Sequence, residues 1–150
     1  MYQYTYRTPV GEVSIAETDG FITNISYQKL NCEIKETQLI KRTYKELEEY
    51  FKGLRKTFDI PLSLHGTDFQ KKVWEALKSI PYGKTASYKD IAKLTGNEKA
   101  SRAVGMANNK NPVVIIIPCH RIIGSNGSLT GYAGGLNIKK KLLDIEGIKQ

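Results

Sequence analysis

Residues 55 to 67, RKTFDIPLSLHGT, carry no hydrophobic period, yet the stretches on either side are strongly periodic and differ in kind. Pro61, Ser63 and Gly66 interrupt any helix or strand that would run through. A chain broken in this way has to build its core in two parts, and 150 residues suffice for two small ones. The boundary is placed near Gly66, giving units 1–66 and 67–150.

In the first part, residues 2 to 7 (YQYTYR), 13 to 17 (VSIAE) and 21 to 27 (FITNISY) alternate or are β-branched, and Asp19-Gly20 is a hairpin signal. A small antiparallel meander is expected. From Glu36 to Leu54 the residues Ile40, Tyr44, Leu47, Phe51 and Leu54 recur at helical spacing, with Gly53 as a stop, so one helix can cover the sheet.

In the second part, Thr67 or Asp68 can cap a helix with the stripe Phe69, Val73, Trp74, Leu77 and Ile80. Ser87 and Asp90 are spaced as a capping box opening SYKDIAKLTG. A further short helix, EKASRAVGMANNK, follows with small residues on one side, and the pair has the pattern of a helix-turn-helix. The last helix runs through LNIKKKLLDIEG and stops at Gly147. The fold class is therefore α/β (α+β), with a mostly helical second domain and a short strand, VVIII, ahead of Pro118.

Charge divides at the same place. Residues 1–66 hold 9 Lys+Arg against 9 Asp+Glu, and residues 67–150 hold 14 against 6, so the net +8 belongs to the second part. Such an excess suits a polyanionic partner, although a lysine-rich solvated surface has the same composition. No apolar run is long enough to cross a membrane, and MYQYTYRTPV lacks the pattern of a secretory signal. Cys32 and Cys119 are then expected as free thiols in a reducing compartment. Two Cys and two His with no CxxC or HxxxH assemble no local zinc site, and neither metal nor cofactor is expected.

Cys119 stands between Pro118 and His120. An ordinary thiol, with a pKa of about 8.5, is only slightly ionised at neutral pH, so a nucleophilic cysteine needs a basic or positive neighbour. In a regular strand His120 would point away from Cys119; Pro118, which lacks an N–H, predicts that the strand ends and an irregular turn or short helix begins. A buried core cysteine beside a satisfied histidine remains the plainer alternative. Against it stand Asn111-Pro112, placed to brace the turn, and Glu146, a carboxylate at a helix C-terminus where the macrodipole disfavours it. The glycine-rich stretch GSNGSLTGYAGG, able to approach a flat ligand, adds to them.

The run NPVVIIIPCHRIIGSNGSLTGYAGG followed by KKKLLDIEG closely resembles the C-terminal domain of the O6-alkylguanine-DNA alkyltransferases, also called methylated-DNA–protein-cysteine methyltransferases. The resemblance covers roughly residues 67 to 150. It implies direct reversal of DNA damage, the alkyl group of O6-alkylguanine in duplex DNA moving irreversibly to Cys119. It further implies that His120 deprotonates Cys119 through a water, that Glu146 orients His120, that Asn111 braces the turn, and that Tyr88 donates a proton toward guanine N3. Arg102 would fill the gap left by the extruded base, with Ser87, Ala103, Gly105 and Arg121 against the DNA. Pro118, Tyr132, Ala133 and Gly134 would wall the base pocket, Ala133 replacing a serine common in the family. Some members bind zinc in the N-terminal domain, but only Cys32 and His65 could contribute here. The resemblance thus implies a monomer acting on double-stranded DNA, with no membrane partner, in the cytoplasm or, in a eukaryote, the nucleus. The alternatives are a non-catalytic binder of alkylated lesions and a thiol hydrolase using the same Cys, His and Glu.

Overall fold

Asp19 and Gly20 both take positive φ, 51° and 85°, and this tight turn joins β2 (Gly11–Thr18) to β3 (Phe21–Ser26). The computed structural model describes residues 1–149. Its chain divides into two units, Met1–Leu64 with Pro112–Val114, and His65–Asn111 with Ile115 onward.

In the first unit β1 (Tyr2–Thr8) pairs antiparallel with β2, and β2 with β3. The sheet is not purely antiparallel, because the two-residue β4 (Glu33–Ile34) adds to the edge of β1 in parallel, giving the order β3-β2-β1-β4. Two residues carry too little pattern to announce a strand. Helix α1 (Gln38–Phe51) starts where the Thr37 side chain accepts from Ile40 N, and buries Ile40, Thr43, Leu47 and Tyr50. Tyr44 from the expected stripe is half-buried and stacks on Tyr6 at 3.9 Å, whereas Leu54 lies past the helix and is exposed. β3 also makes parallel bridges, Ile22 to Leu62 and Ile25 to Val113. Pro112–Val114 is thereby drawn into the first unit, although the sequence reading put it in the second.

The second unit holds α2 (Asp68–Lys78), α3 (Tyr88–Leu94), α4 (Ser101–Asn109) and α5 (Leu136–Ile145). Thr67 and Ser87 each form a full capping box, with Gln70 and Asp90 respectively. Trp74 donates its indole N–H to the Ala107 carbonyl at 2.9 Å, fixing α2 against α4. Gly66 is required by the same tryptophan, since a Cβ there would stand 2.6 Å from the indole ring. Strands β5 (Ala86–Ser87) and β6 (Ile122–Ile123) pair in parallel, leading into α3 and out of the segment that holds Cys119. Val73, Leu77, Ile91, Val104, Ile117, Ile122, Leu142 and Leu143 are buried and make up the core of this unit. Among the described residues no helix is long and apolar enough to cross a membrane.

Candidate active site

The expected strand ahead of Pro118 is replaced by a turn. Ile25 of β3 donates to the Pro112 carbonyl and accepts from Val114 N, bridging at Val113, and Ile115 then takes φ 74°, a conformation that costs a β-branched residue on the order of 1–3 kcal/mol. The chain is thus redirected before Ile117, and Cys119–Arg121 forms a single 3-10 turn. Cys119 N donates to Ile117 O at 2.8 Å and Arg121 N to Pro118 O at 3.0 Å. Asn111 Nδ2 donates to Ile117 O at 2.8 Å, bracing the turn from the other side, and its side chain also hydrogen-bonds the thiol.

Cys119 is 2% exposed, and this burial pushes its thiol up to about 11. Four influences act the other way: the Asn111 hydrogen bond, the charge of Lys139, the backbone N–H of Cys119 itself, and a Tyr132 hydrogen bond. The resting group is a thiol. A base must take its proton before it can attack, and the surroundings are already arranged to receive the thiolate.

The same turn places His120. His120 is fully buried, and its Nε2 lies 2.6 Å from Glu146 Oε2. With a carboxylate as partner the ring proton sits on Nε2, which leaves the lone pair on Nδ1. Burial lowers the pKa of His120, while Glu146 opposes that shift. Glu146 caps the end of α5 and is kept there by further donors. Arg121 Nε reaches Oε1 at 2.8 Å, Arg121 Nη2 reaches Oε2 at 3.2 Å, and Gly83 N reaches Oε1 at 3.1 Å. These bonds answer the helix-end penalty that made Glu146 conspicuous in the sequence.

Arg121 therefore does not lie where a DNA-contacting residue would. Its side chain is buried, with Nη1 donating to Ile80 O at 2.7 Å and the other nitrogens on Glu146. The guanidinium is committed inward because a buried carboxylate needs a cationic partner more than a surface phosphate does. Ser87 is partly accounted for by its cap, its Oγ accepting from Asp90 N.

On the surface of this unit, Tyr88, Ser101, Arg102, Gly105, Met106, Asn109 and Gly131 line one concave patch. Gly105 of α4 faces the Tyr88 ring, where an added Cβ would meet Cε1 at 3.5 Å, an ordinary contact distance. Arg102 and Ala103 are exposed on the same helix. Tyr132 and Pro118 are buried, Ala133 is exposed and Gly134 is half-buried. Among the described residues no group of three or more His, Cys, Asp or Glu is placed to hold a metal ion.

Two residues, one coupled to Cys119 and the other bonded to Tyr88, escaped the sequence reading. Lys139 is fully buried, and its Nζ donates to Ile122 O, to Thr130 O at 3.2 Å and to Thr130 Oγ1 at 3.3 Å. Thr130 Oγ1 in turn lies 2.6 Å from the Tyr88 hydroxyl. Lys139 could have been found, because it shares the helical spacing of Leu142, Leu143 and Glu146. Thr130, in an aperiodic loop, gave no such signal.

Comparison with known proteins covers nearly the whole chain. Residues 68–148 match the family described as 6-O-methylguanine DNA methyltransferase, DNA binding domain, and residues 1–64 its ribonuclease-like domain. The methylated-DNA–protein-cysteine methyltransferase of Methanosarcina acetivorans is 47% identical, the match covering 98% of this chain and 99% of that one. The constitutive enzyme of that name from Bacillus subtilis is 49% identical, covering 98% of this chain and 96% of its own. The crystal structure of Mycobacterium tuberculosis OGT in complex with DNA superposes with a TM-score of 0.91 at 41% identity, over 97% of this chain and 92% of that one. With both parts matched, and with Cys119 buried in one unit with His120 and Glu146, the chain belongs to the 6-O-methylguanine DNA methyltransferase family.

Proposed function

We propose that this chain repairs O6-alkylguanine in duplex DNA by taking the alkyl group onto Cys119. The observation that carries the reading is the buried Cys119, held among Asn111, Tyr132 and Lys139 on the turn that supplies the His120–Glu146 pair. His120 Nδ1 takes the thiol proton through a water, and Glu146 holds the ring in the tautomer that can do so. The thiolate attacks the alkyl carbon, the carbon–oxygen bond to guanine breaks, and the electron pair remains on the base. Tyr88 supplies a proton at guanine N3. The thioether left on Cys119 offers water no leaving group that these residues can activate, so each chain acts once.

DNA enters this account through the basic second half and through α4. Arg102 is exposed beside Tyr88 and is suited to fill the place of an extruded nucleotide, with the small residues Ala103 and Gly105 letting the helix approach the minor groove. Tyr132, Ala133, Gly134 and Pro118 wall the base pocket in this reading. The chain acts as a monomer without a cofactor, in the compartment that holds the DNA.

The test is the intact mass of the protein after mixing with one equivalent of duplex bearing O6-methylguanine, followed by peptide mapping. One methyl per chain, on Cys119 and absent from Cys119→Ala, is the expected result, with DNA binding retained in the variant. Tight binding with no mass gain would replace this reading with a lesion-binding one, and repeated turnover would point to a hydrolase.

A further inference from the structure

Lys139 is a cation to which the reaction as described gives no proton-transfer step. All three N–H bonds of its ammonium have acceptors, the carbonyl oxygens of Ile122 and Thr130 and the hydroxyl of Thr130. None of these acceptors is a carboxylate. Its charge-coupled partner is Cys119, whose thiolate, once the thiol has lost its proton, raises Lys139's hold on its own, while burial, the larger influence, brings Lys139 down to about 8. Lys139 is thus coupled to the nucleophile on one side and, through Thr130, to the Tyr88 hydroxyl on the other.

We propose that Thr130 is a positioning residue that relays a proton from Lys139 to Tyr88 as Tyr88 protonates the departing guanine. The proposal rests on the alkyl-transfer reading of Cys119 and Tyr88. The hydrogen-bond directions favour it, because an ammonium can only donate. Thr130 Oγ1 accepts from Lys139, and its own hydrogen is then directed to the Tyr88 oxygen, leaving the phenolic hydrogen for the base.

The bonds balance. The sulfur–carbon bond forms and the carbon–oxygen bond breaks, with the electron pair going to guanine. The Tyr88 proton moves to N3, the Thr130 hydroxyl proton moves to the Tyr88 oxygen, and a Lys139 proton moves to the Thr130 oxygen. Tyr88 and Thr130 finish as hydroxyls and Lys139 as a neutral amine. Timing is built in: once alkylated, Cys119 is neutral, so Lys139 loses the charge that held its proton at the moment the relay needs it.

Single-turnover transfer is measured for the wild type, Thr130→Val, Thr130→Ser and Tyr88→Phe. The duplexes carry O6-methylguanine or its 3-deaza analogue, which has CH in place of N3. Thr130→Val should slow the guanine reaction by a factor on the order of ten to a hundred, within the range that a positioned acid contributes. Thr130→Ser should restore most of that rate. On the 3-deaza lesion Thr130→Val and the wild type should react at the same rate, since no N3 remains to receive the proton. Equal slowing on both lesions would reduce Thr130 to a structural role and overturn the relay. Selective slowing in Tyr88→Phe with no effect of Thr130→Val would overturn the relay and leave the role of Tyr88 standing. No methyl gain in any protein, the wild type included, would remove the alkyl-transfer reading and the relay with it.

Discussion

Arg121 shows how much a single side chain can change meaning between sequence and fold. In the string PCHR it is one of several basic residues on a basic domain, and a phosphate contact is the natural expectation. Its buried fork on Glu146 ties it instead to the carboxylate that His120 also meets. Arg121→Ala would leave that carboxylate buried without its cation, a loss of about 3–5 kcal/mol when one partner of a buried pair is removed. Urea unfolding checks this, and the salt dependence of DNA binding should be the same in the variant as in the wild type. His120 gives a second expectation. Burial lowers its pKa from 6.5 against the pull of Glu146, with Arg121 and Lys139 adding to the lowering. The fold therefore favours the neutral ring. That stability is fully present above pH 6.5 and is lost as pH falls through the lower folded value. An acid-side loss of stability that persists unchanged in His120→Gln would assign the titration to another group. That Cys119, His120 and Glu146 belong to one cluster was legible because a short motif and an ill-placed carboxylate both pointed at them. The role of Lys139 was not, since Lys139, Lys140 and Lys141 read as a solvated run and only the helical phase distinguishes the first.

At the scale of elements, helix starts were the most legible feature, because a capping box is a local bond pattern written in four residues. The Ser87–Asp90 box forms as its spacing implies, and of the two caps offered for α2 it is Thr67, not Asp68, that caps the helix, closing a second box with Gln70. Ser87→Ala should cost about 1 kcal/mol of stability, as lost N-caps do, and thermal unfolding measures it. Strands were less legible. VVIII has the composition of a strand, but Val113 and Val114 bond to β3 while Ile117 belongs to the second unit, and Ile115 turns between them against the preference of its own side chain. Competition between two sets of partners is a tertiary fact that no local period records. The pair α3 and α4 was legible as two helices and a turn, and the reading of α4 as the element against DNA has its own test. Arg102→Ala should weaken repair in duplex DNA far more than reaction with free O6-benzylguanine, whereas equal losses would count against base extrusion.

For the whole molecule, the uneven charge of the two halves is the property a partner would sense first. If the +8 excess in residues 67–150 meets phosphates, log affinity for DNA should fall linearly with log salt, by about 0.9 for each phosphate neutralised. A flat dependence in a titration from low to physiological salt would disconnect the charge from the partner. The division into two units was legible from the aperiodic segment before Gly66, but the transfer of Pro112–Val114 to the first unit depends on bridges that only the fold creates. The burial of Cys119 reaches further than its effect on the thiol. The residue is 2% exposed, and in the reaction proposed above the methyl group its sulfur gains stays in those buried surroundings among side chains already in place. Overfilling a core by one such group costs about 1–3 kcal/mol. Alkylation at Cys119 should then leave a molecule that melts earlier than a fresh one, and a population of this protein would keep a tally of the lesions it has met in its own unfolding curve.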